Sequence, residues 1–129
     1  MSKLAGKSIL ITGASQGLGC AMALRFASEG AAGLSLVARH ADRLNVVRDE
    51  IRKIAPNIDM VTIEADVSKP RDIERIVATT LAQFKGQLDV LVNNASTNWA
   101  LADAIPARLS GGRFSRSARY ESDRPVSAN

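Results

Sequence analysis

The chain has 129 residues, of which 46% are hydrophobic and 23% are charged. This composition is typical of one folded domain and excludes a wholly disordered chain. The single cysteine, Cys20, excludes a disulfide framework and a cysteine-based zinc site, and it fits a reducing compartment. Since the sequence has neither an N-terminal leader pattern nor an apolar run of about 20 residues, we expect a cytoplasmic protein that binds no membrane.

The net charge of +4 is not arranged as a nucleic-acid-binding surface requires. Half of this excess falls in residues 98–129, which hold five arginines and no lysine. Aromatic residues make up only 4% of the chain, so the basic residues form no stripe with aromatic residues between them. We therefore expect no nucleic-acid partner.

Four short apolar runs predict β-strands, and they lie at Lys7–Thr12, Leu34–Val37, Ile58–Ile63 and Asp89–Val92. Apolar residues follow one another in these runs, which indicates strands that are covered on both faces. With helices between them, the strands predict an α/β fold with a doubly wound parallel sheet of the Rossmann-like type, in the order 3-2-1-4. Ligands of such sheets bind beyond the carboxyl ends of the strands.

Three helices are predicted between these strands from apolar residues at helical spacing. The first helix ends at Gly30, the second ends before Pro56, and the third is capped by Ser68 and ends at Gly86. The residues predicted to face the core are Leu18, Met22 and Phe26 in the first helix, Leu44, Val47, Ile51 and Ile54 in the second, and Ile73, Ile76, Val77, Thr80, Leu81 and Phe84 in the third.

A glycine-rich turn joins the first strand to the first helix, with the spacing G-x-x-x-G-x-G over Gly13, Gly17 and Gly19. Gly13 permits the sharp turn, Gly17 lets the backbone approach a pyrophosphate, and Gly19 lets the helix pack closely. The helix N-terminus then offers unpaired N–H groups to phosphate. The alternative is a glycine-rich connection without a ligand.

These residues resemble the TGxxxGxG cofactor motif of the short-chain dehydrogenase/reductase family. Asp66 and Val67 resemble the family's pair at the adenine ring, and Asn93-Asn94-Ala95-Ser96 resembles its N-N-A-G signature, with Ser96 in place of glycine. The resemblance covers residues 5–97 and implies a cofactor-binding half-domain over residues 1–97. The predicted cofactor-binding residues are Gly13, Ser15, Gln16, Gly17, Leu18, Gly19, Arg39, Asp66, Val67, Asn93 and Ala95.

The residues after the second strand predict the cofactor. An acid about 20 residues beyond the glycines would bind the ribose 2′-hydroxyl of NAD, whereas an arginine accommodates the 2′-phosphate of NADP. Here Arg39 and His40 follow the strand, and the first acid is Asp42. The sequence therefore predicts NADP(H) in preference to NAD(H), and the alternative is a solvated Arg39. His40 is interpreted as a surface residue and Cys20 as a packing residue.

The resemblance implies catalysis by a serine, a tyrosine and a lysine four residues after the tyrosine. The only tyrosine is Tyr120, and Arg124 stands four residues later. Arginine does not replace lysine here because it keeps its proton. We therefore predict no catalytic residue in this chain, which retains the cofactor-binding part and is expected to be inactive alone.

Residues 98–129 contain five arginines, five serines and six alanines without apolar periodicity, which predicts an irregular or disordered tail. A second hypothesis is a shifted reading frame. Read one nucleotide later, with third codon positions chosen to fit, the segment can encode a continuation of the family's chain. A single inserted nucleotide near Thr97 would then have truncated the chain and left the fold incomplete.

The predicted function is therefore NADP(H)-dependent hydride transfer between a carbonyl and an alcohol, with this chain supplying the cofactor site. The alternatives are a non-enzymatic dinucleotide-binding or interaction module and a methyltransferase; the second lacks the expected acid after the second strand. Without a fifth strand, the outer edge of Asp89–Val92 is unpaired, so self-association through this edge is expected.

Overall fold

The computed structural model describes residues 4–95 and 100–106. Its elements in chain order are β1 (Ser8–Thr12), α1 (Gly17–Ser28), β2 (Gly33–Ala38), α2 (Ala41–Ile54), β3 (Asp59–Glu64), α3 (Pro70–Gln83), β4 (Val90–Val92) and α4 (Ala100–Ala104). Within these two ranges, none of the helices has the length and apolar character needed to cross a membrane.

The four strands form one parallel sheet in the order β3-β2-β1-β4, which confirms the predicted order. Every residue of β1 and β2 is buried, as expected for apolar strands in the middle of a covered sheet. Ile9 of β1 lies opposite Leu34 of β2 on one side and Val90 of β4 on the other. β1 and β2 are therefore the central strands of the sheet.

Two hydrophobic clusters cover the two faces of the sheet. Ile9, Ile11 and Leu34 pack against α1 and α2, whereas Leu10 and Val37 pack against α3 and α4. Successive strand residues thus alternate between the clusters, because side chains along a strand point to opposite faces. This arrangement is the doubly wound α/β architecture that the sequence predicts.

The core-facing side of α1 differs from the prediction. Gly19, Ala23 and Ala27 are the buried residues of this helix, whereas Leu18 is 46% exposed. Met22 and Phe26 are half-buried at the border of the cluster. The prediction was wrong because the small residues allow the helix to lie close to the sheet, so the larger side chains are displaced to its flanks.

The core-facing sides of α2 and α3 largely follow the prediction. Leu44, Val47 and Ile51 are buried, but Ile54 is 47% exposed because it is the last residue of α2, where the chain turns away. In α3, Ile73, Ile76 and Thr80 are buried and Val77 and Leu81 are half-buried, as predicted, and Phe84, the C-cap of this helix, is also buried. The N-cap of α3 is Lys69, with Pro70 following, in place of the predicted Ser68.

A short helix, α4, lies within the segment predicted to be irregular. Leu101, Ala102 and Ile105 are almost fully buried and belong to the cluster on the α3 face. The spacing of these three residues places them on one side of a helical turn, but a helix of five residues is too short for its period to be detected from the sequence. The rest of the predicted tail, including Tyr120 and Arg124, lies outside the described residues.

Candidate functional site

A cleft of about 590 Å³ opens at the carboxyl ends of the strands. Four connections contribute to it: the glycine-rich turn after β1 and the segments that follow β2, β3 and β4. This is the position that the parallel sheet predicts for a ligand, because the strand order reverses there.

The glycine-rich turn has the compact geometry that its sequence predicts. Gly13 has a φ of 63°, a left-handed conformation that glycine adopts without strain. A Cβ atom on Gly19 would lie 2.0 Å from the Gly13 carbonyl oxygen and 2.8 Å from Asn94 Nδ2. Gly19 is thus required for the contact between α1, the end of β1 and the segment after β4.

Gly17 has a different environment at the start of α1. Its φ is 59°, and a Cβ atom built on it would meet nothing within 4 Å. The preceding residue, Gln16, is the N-cap of α1, but its side chain makes no capping hydrogen bond. No described side chain accepts a hydrogen bond from the N–H groups of the first helical turn, so these groups are available to an anion in the cleft.

Thr12 joins the glycine-rich turn to the segment after β4. Its fully buried hydroxyl accepts hydrogen bonds from the backbone N–H groups of Asn94, at 2.9 Å, and Ala95, at 3.0 Å. It donates to Asn93 Oδ1 at 3.2 Å. A hydroxyl has one donor and two acceptor positions, so all three are used. This role of Thr12 was not predicted from the sequence, although a polar residue at the end of a buried strand can indicate such a structural hydrogen bond.

The segment after β2 brings a cation to the cleft. Arg39 and His40 both line the cleft and are both exposed. Among the described residues, the Arg39 guanidinium has no hydrogen bond or ion pair. Asp66 interacts with this charge only at longer range, so the donors of the guanidinium are not used by any described carboxylate and can bind an anion.

The segment after β3 is held by two carboxylates. Asp66 Oδ1 accepts hydrogen bonds from the Ser68 hydroxyl at 2.7 Å and the Ser68 N–H at 2.9 Å, and the Asp66 N–H donates to Asp72 Oδ2 at 2.8 Å. The bonds from Ser68 lower the pKa of Asp66, with smaller contributions from the charges of Lys69 and Arg39. The bond from the Asp66 N–H is the largest cause of the lowered pKa of Asp72. These contacts explain why Ser68 does not cap α3.

The structure brings most of the predicted site residues to one cleft. Nine of the predicted residues line it, and they are Gly13, Ser15, Gln16, Gly17, Leu18, Arg39, Asp66, Val67 and Ala95. Gly19 and Asn93 do not line it, since both are buried beneath it. Asn94 and Ser68 also line the cleft, although the sequence did not single them out as binding residues.

Two further side chains were assessed from the sequence. Cys20 is half-buried, and burial raises the pKa of its thiol, with a smaller effect from Glu50, as expected for a packing residue. His40 is exposed, as predicted, but it lies at the cleft. The described part of the chain contains no group of acids, histidines and cysteines that could hold a metal ion.

Comparison with known proteins gives consistent matches over the described sheet. The family model of the short chain dehydrogenases matches residues 7–108, which extends beyond the resemblance noted in the sequence at residues 5–97. An 11-beta-hydroxysteroid dehydrogenase 1A of Arabidopsis thaliana is 50% identical over 93 residues, which are 71% of this chain and 26% of that protein.

Solved structures match the same region. The L-sorbose reductase of Gluconobacter frateurii, solved with NADPH and L-sorbose, matches with a TM-score of 0.66 at 38% identity. The match covers 73% of this chain and 35% of the reductase chain. An NAD⁺-bound xylitol dehydrogenase matches with a TM-score of 0.66 at 28% identity. The match covers 74% of this chain and 35% of the dehydrogenase chain. This chain therefore spans about a quarter to a third of the length of these relatives.

Proposed function

Because the chain belongs to the short-chain dehydrogenase/reductase family, whose members are oxidoreductases, we propose that its cleft binds a nicotinamide dinucleotide and prefers NADP(H) to NAD(H). The observation that carries this proposal is the position of two anion-binding features on one cleft. The N-terminus of α1, which Gln16 does not cap, and the Arg39 guanidinium, which has no hydrogen bond or ion pair with any described residue, both face it.

The described residues fit such a cofactor. The turn from Gly13 to Gly19 leaves open space at Gly17, so a pyrophosphate can approach the backbone there. Asp66 and Val67 would contact the adenine, and Ala95 would lie on the side of the nicotinamide ribose. Asn93, which is buried, would act by holding Thr12 and the segment after β4 in place.

The preference for NADP(H) rests on Arg39. A guanidinium can bind a phosphate through two parallel charge-assisted hydrogen bonds, whereas it offers no acceptor to a ribose hydroxyl. The relatives do not decide between the cofactors, since one solved structure holds NADPH and another holds NAD⁺. The charge and the free hydrogen-bonding capacity of Arg39 are the support from this chain itself.

The reaction that we propose for the family to which this chain belongs is the interconversion of a carbonyl and an alcohol, in which the bound cofactor supplies or accepts a hydride. The residues of this chain would bind and orient the cofactor. Tyr120 is followed by Arg124 where a lysine would be needed. We therefore expect the 129-residue chain alone to show no turnover, because no positioned proton donor is available.

Binding can be tested with two glycines that have similar backbones. Gly17 and Gly86 have φ values of 59° and 80°, and a Cβ atom on either would meet nothing within 4 Å. Gly17→Ala and Gly86→Ala should therefore cause comparable backbone strain, but only Gly17 lines the cleft. We expect Gly17→Ala to weaken NADPH binding measured by calorimetry, while Gly86→Ala binds as the unaltered chain does. Equal affinity of both variants, or no binding by the unaltered chain, would contradict the proposal.

The extent of the cofactor-binding unit is a separate proposal. We assign it to residues 1–97 and attribute the change in composition beyond them to a shifted reading frame. The helix α4 and the family match to residue 108 lie past this boundary, so the boundary needs an independent test. Sequencing the gene on both sides of codon 97 supplies it: an intact family sequence in the second frame would support the shift, and its absence would overturn it.

We also propose that the chain self-associates through β4. Among the described residues, β4 pairs only with β1, so its other edge presents unpaired backbone groups on a short apolar strand.

A further inference from the structure

A side-chain hydrogen bond crosses from the glycine-rich turn to α2 beside the cleft. Arg43 Nη1 donates to Gln16 Oε1 at 2.7 Å. Gln16 immediately precedes α1, and Arg43 lies in the first turn of α2. Gln16 lines the cleft together with Arg39, and both ends of the hydrogen bond are exposed. The bond thus connects the two segments that approach the ribose end of the proposed cofactor site.

The chemistry of the two groups fixes the orientation of the Gln16 amide. A guanidinium has donors and no acceptor, so its partner on Gln16 must be the amide oxygen. The amide nitrogen, with its two N–H groups, is therefore the end of Gln16 that can donate to a ligand. The Gln16 side chain makes no capping bond to α1, so Arg43 is the described residue that holds this orientation.

We propose that Arg43 is a positioning residue for the 2′-phosphate of NADP(H), acting through Gln16. Arg43 holds the Gln16 amide so that an N–H group can donate to an oxygen of the phosphate that Arg39 binds. This inference rests on the proposed dinucleotide binding, and it adds a determinant of selectivity four residues beyond Arg39.

The proposal predicts a selective effect. NADH lacks the 2′-phosphate, so loss of Arg43 should weaken NADPH binding and leave NADH binding almost unchanged. We expect Arg43→Met to raise the Kd for NADPH about three- to tenfold, the loss expected when one ordinary hydrogen bond at an exposed site is no longer held in place. Gln16→Ala should have a similar effect. Since the two residues act as one unit, the double variant should bind NADPH about as weakly as the more affected single variant.

The experiment uses the full chain and calorimetric titration with NADPH, NADH, adenosine 2′,5′-bisphosphate and adenosine 5′-monophosphate. The matched control is Arg48→Met, since Arg48 is also on α2 and its partners within the described ranges are Asn45 and Asp49, away from Gln16. Arg43→Lys keeps a donor and a positive charge, and it should recover part of the lost affinity. A melting curve of each variant verifies that the fold is retained.

The outcomes separate this inference from the proposed function. If the unaltered chain prefers NADPH and Arg43→Met keeps that preference, the inference fails and the proposed function stands. Equal weakening of NADPH and NADH, or additive losses in the double variant, would also overturn it. If the unaltered chain binds neither dinucleotide nor adenosine 2′,5′-bisphosphate, the proposed function fails and the inference fails with it.

Discussion

The hydroxyl of Thr12 lies 2.9 Å from the backbone nitrogen of Asn94, although 82 positions separate the two residues in the chain. This bond and its neighbours fix the segment after β4 against the glycine-rich turn. Thr12→Val keeps the shape of the side chain and removes the hydroxyl, so the part-buried N–H groups of Asn94 and Ala95 and the buried Asn93 Oδ1 lose their hydrogen bonds to it. We expect the free energy of unfolding to fall by about 1–3 kcal/mol or more, measured by urea denaturation. Thr12→Ser keeps the hydroxyl and should lose less stability; a Thr12→Val variant as stable as the unaltered chain would contradict this account.

A second buried hydroxyl pair connects α3 to the sheet. Ser35 Oγ and Thr80 Oγ1 are 2.8 Å apart, and both residues are fully buried. Ser35→Ala leaves the Thr80 hydroxyl buried without this partner, at an expected cost of about 1–3 kcal/mol. The double variant Ser35→Ala, Thr80→Val removes both polar groups and should be more stable than the sum of the single losses predicts. Denaturation of all four proteins tests this, and strictly additive losses would argue against a direct interaction.

The cofactor preference should reverse when the charge after β2 is reversed. Arg39→Asp removes the phosphate-binding guanidinium and offers an acceptor to the ribose 2′-hydroxyl. We expect NADPH affinity to fall by roughly tenfold or more while NADH affinity holds or improves, since a charge-assisted bond contributes about 1.5–3 kcal/mol. Fluorescence titration with each cofactor measures both constants. An equal loss for both cofactors would show that Arg39 does not contact the 2′-phosphate.

The carboxylate of Asp72 makes stability depend on pH in one direction. Its pKa is lowered in the folded chain, chiefly by the bond from the Asp66 N–H, so folding favours the ionised form. The resulting stability is fully present above the usual carboxyl value of 3.8 and is lost as the pH falls through the lowered pKa. Asp72→Asn should therefore be less stable than the unaltered chain near pH 6, with the difference shrinking in acid. Glu74→Gln, an exposed change on the same helix, is the control for removing a carboxylate charge from α3 and should change stability little near pH 6.

Self-association should weaken when a charge is placed on the edge strand β4. Val90→Lys places a charge on the half-buried edge strand, where it opposes pairing with a second copy. We expect the variant to be more monomeric than the unaltered chain in sedimentation experiments over a range of concentrations. Val46→Lys makes the same change at a site on α2 that is 62% exposed, and it should leave association unchanged. A chain that is monomeric at every concentration, with a sharp melt and no binding of a hydrophobic dye, would refute the edge proposal.

The strands and the cleft were predictable because their signals are local. β1, β2 and β4 are rich in consecutive apolar residues, and the glycine spacing before α1 marks the turn at which a parallel sheet binds its ligand. The buried face of α1 was not predictable in the same way. Leu18 has the larger apolar surface, yet close approach of α1 to β1 selects Gly19, whose neighbours are known only once the chain is folded. The contacts of Thr12 and of Arg43 could not be predicted for the same reason, since their partners are distant in the sequence.

The bond between Thr12 and Asn94 also constrains the order of folding. The glycine-rich turn lies near the N-terminus, but the backbone N–H groups of Asn94 and Ala95 that hold it in place follow β4 in the chain. Bringing these ends together closes a loop of about eighty residues, a step that costs chain entropy before its contacts are gained. We therefore expect the turn to reach its final geometry late, when β4 joins β1. A nascent or shortened chain that lacks β4 would carry the whole glycine motif and still have no finished cleft.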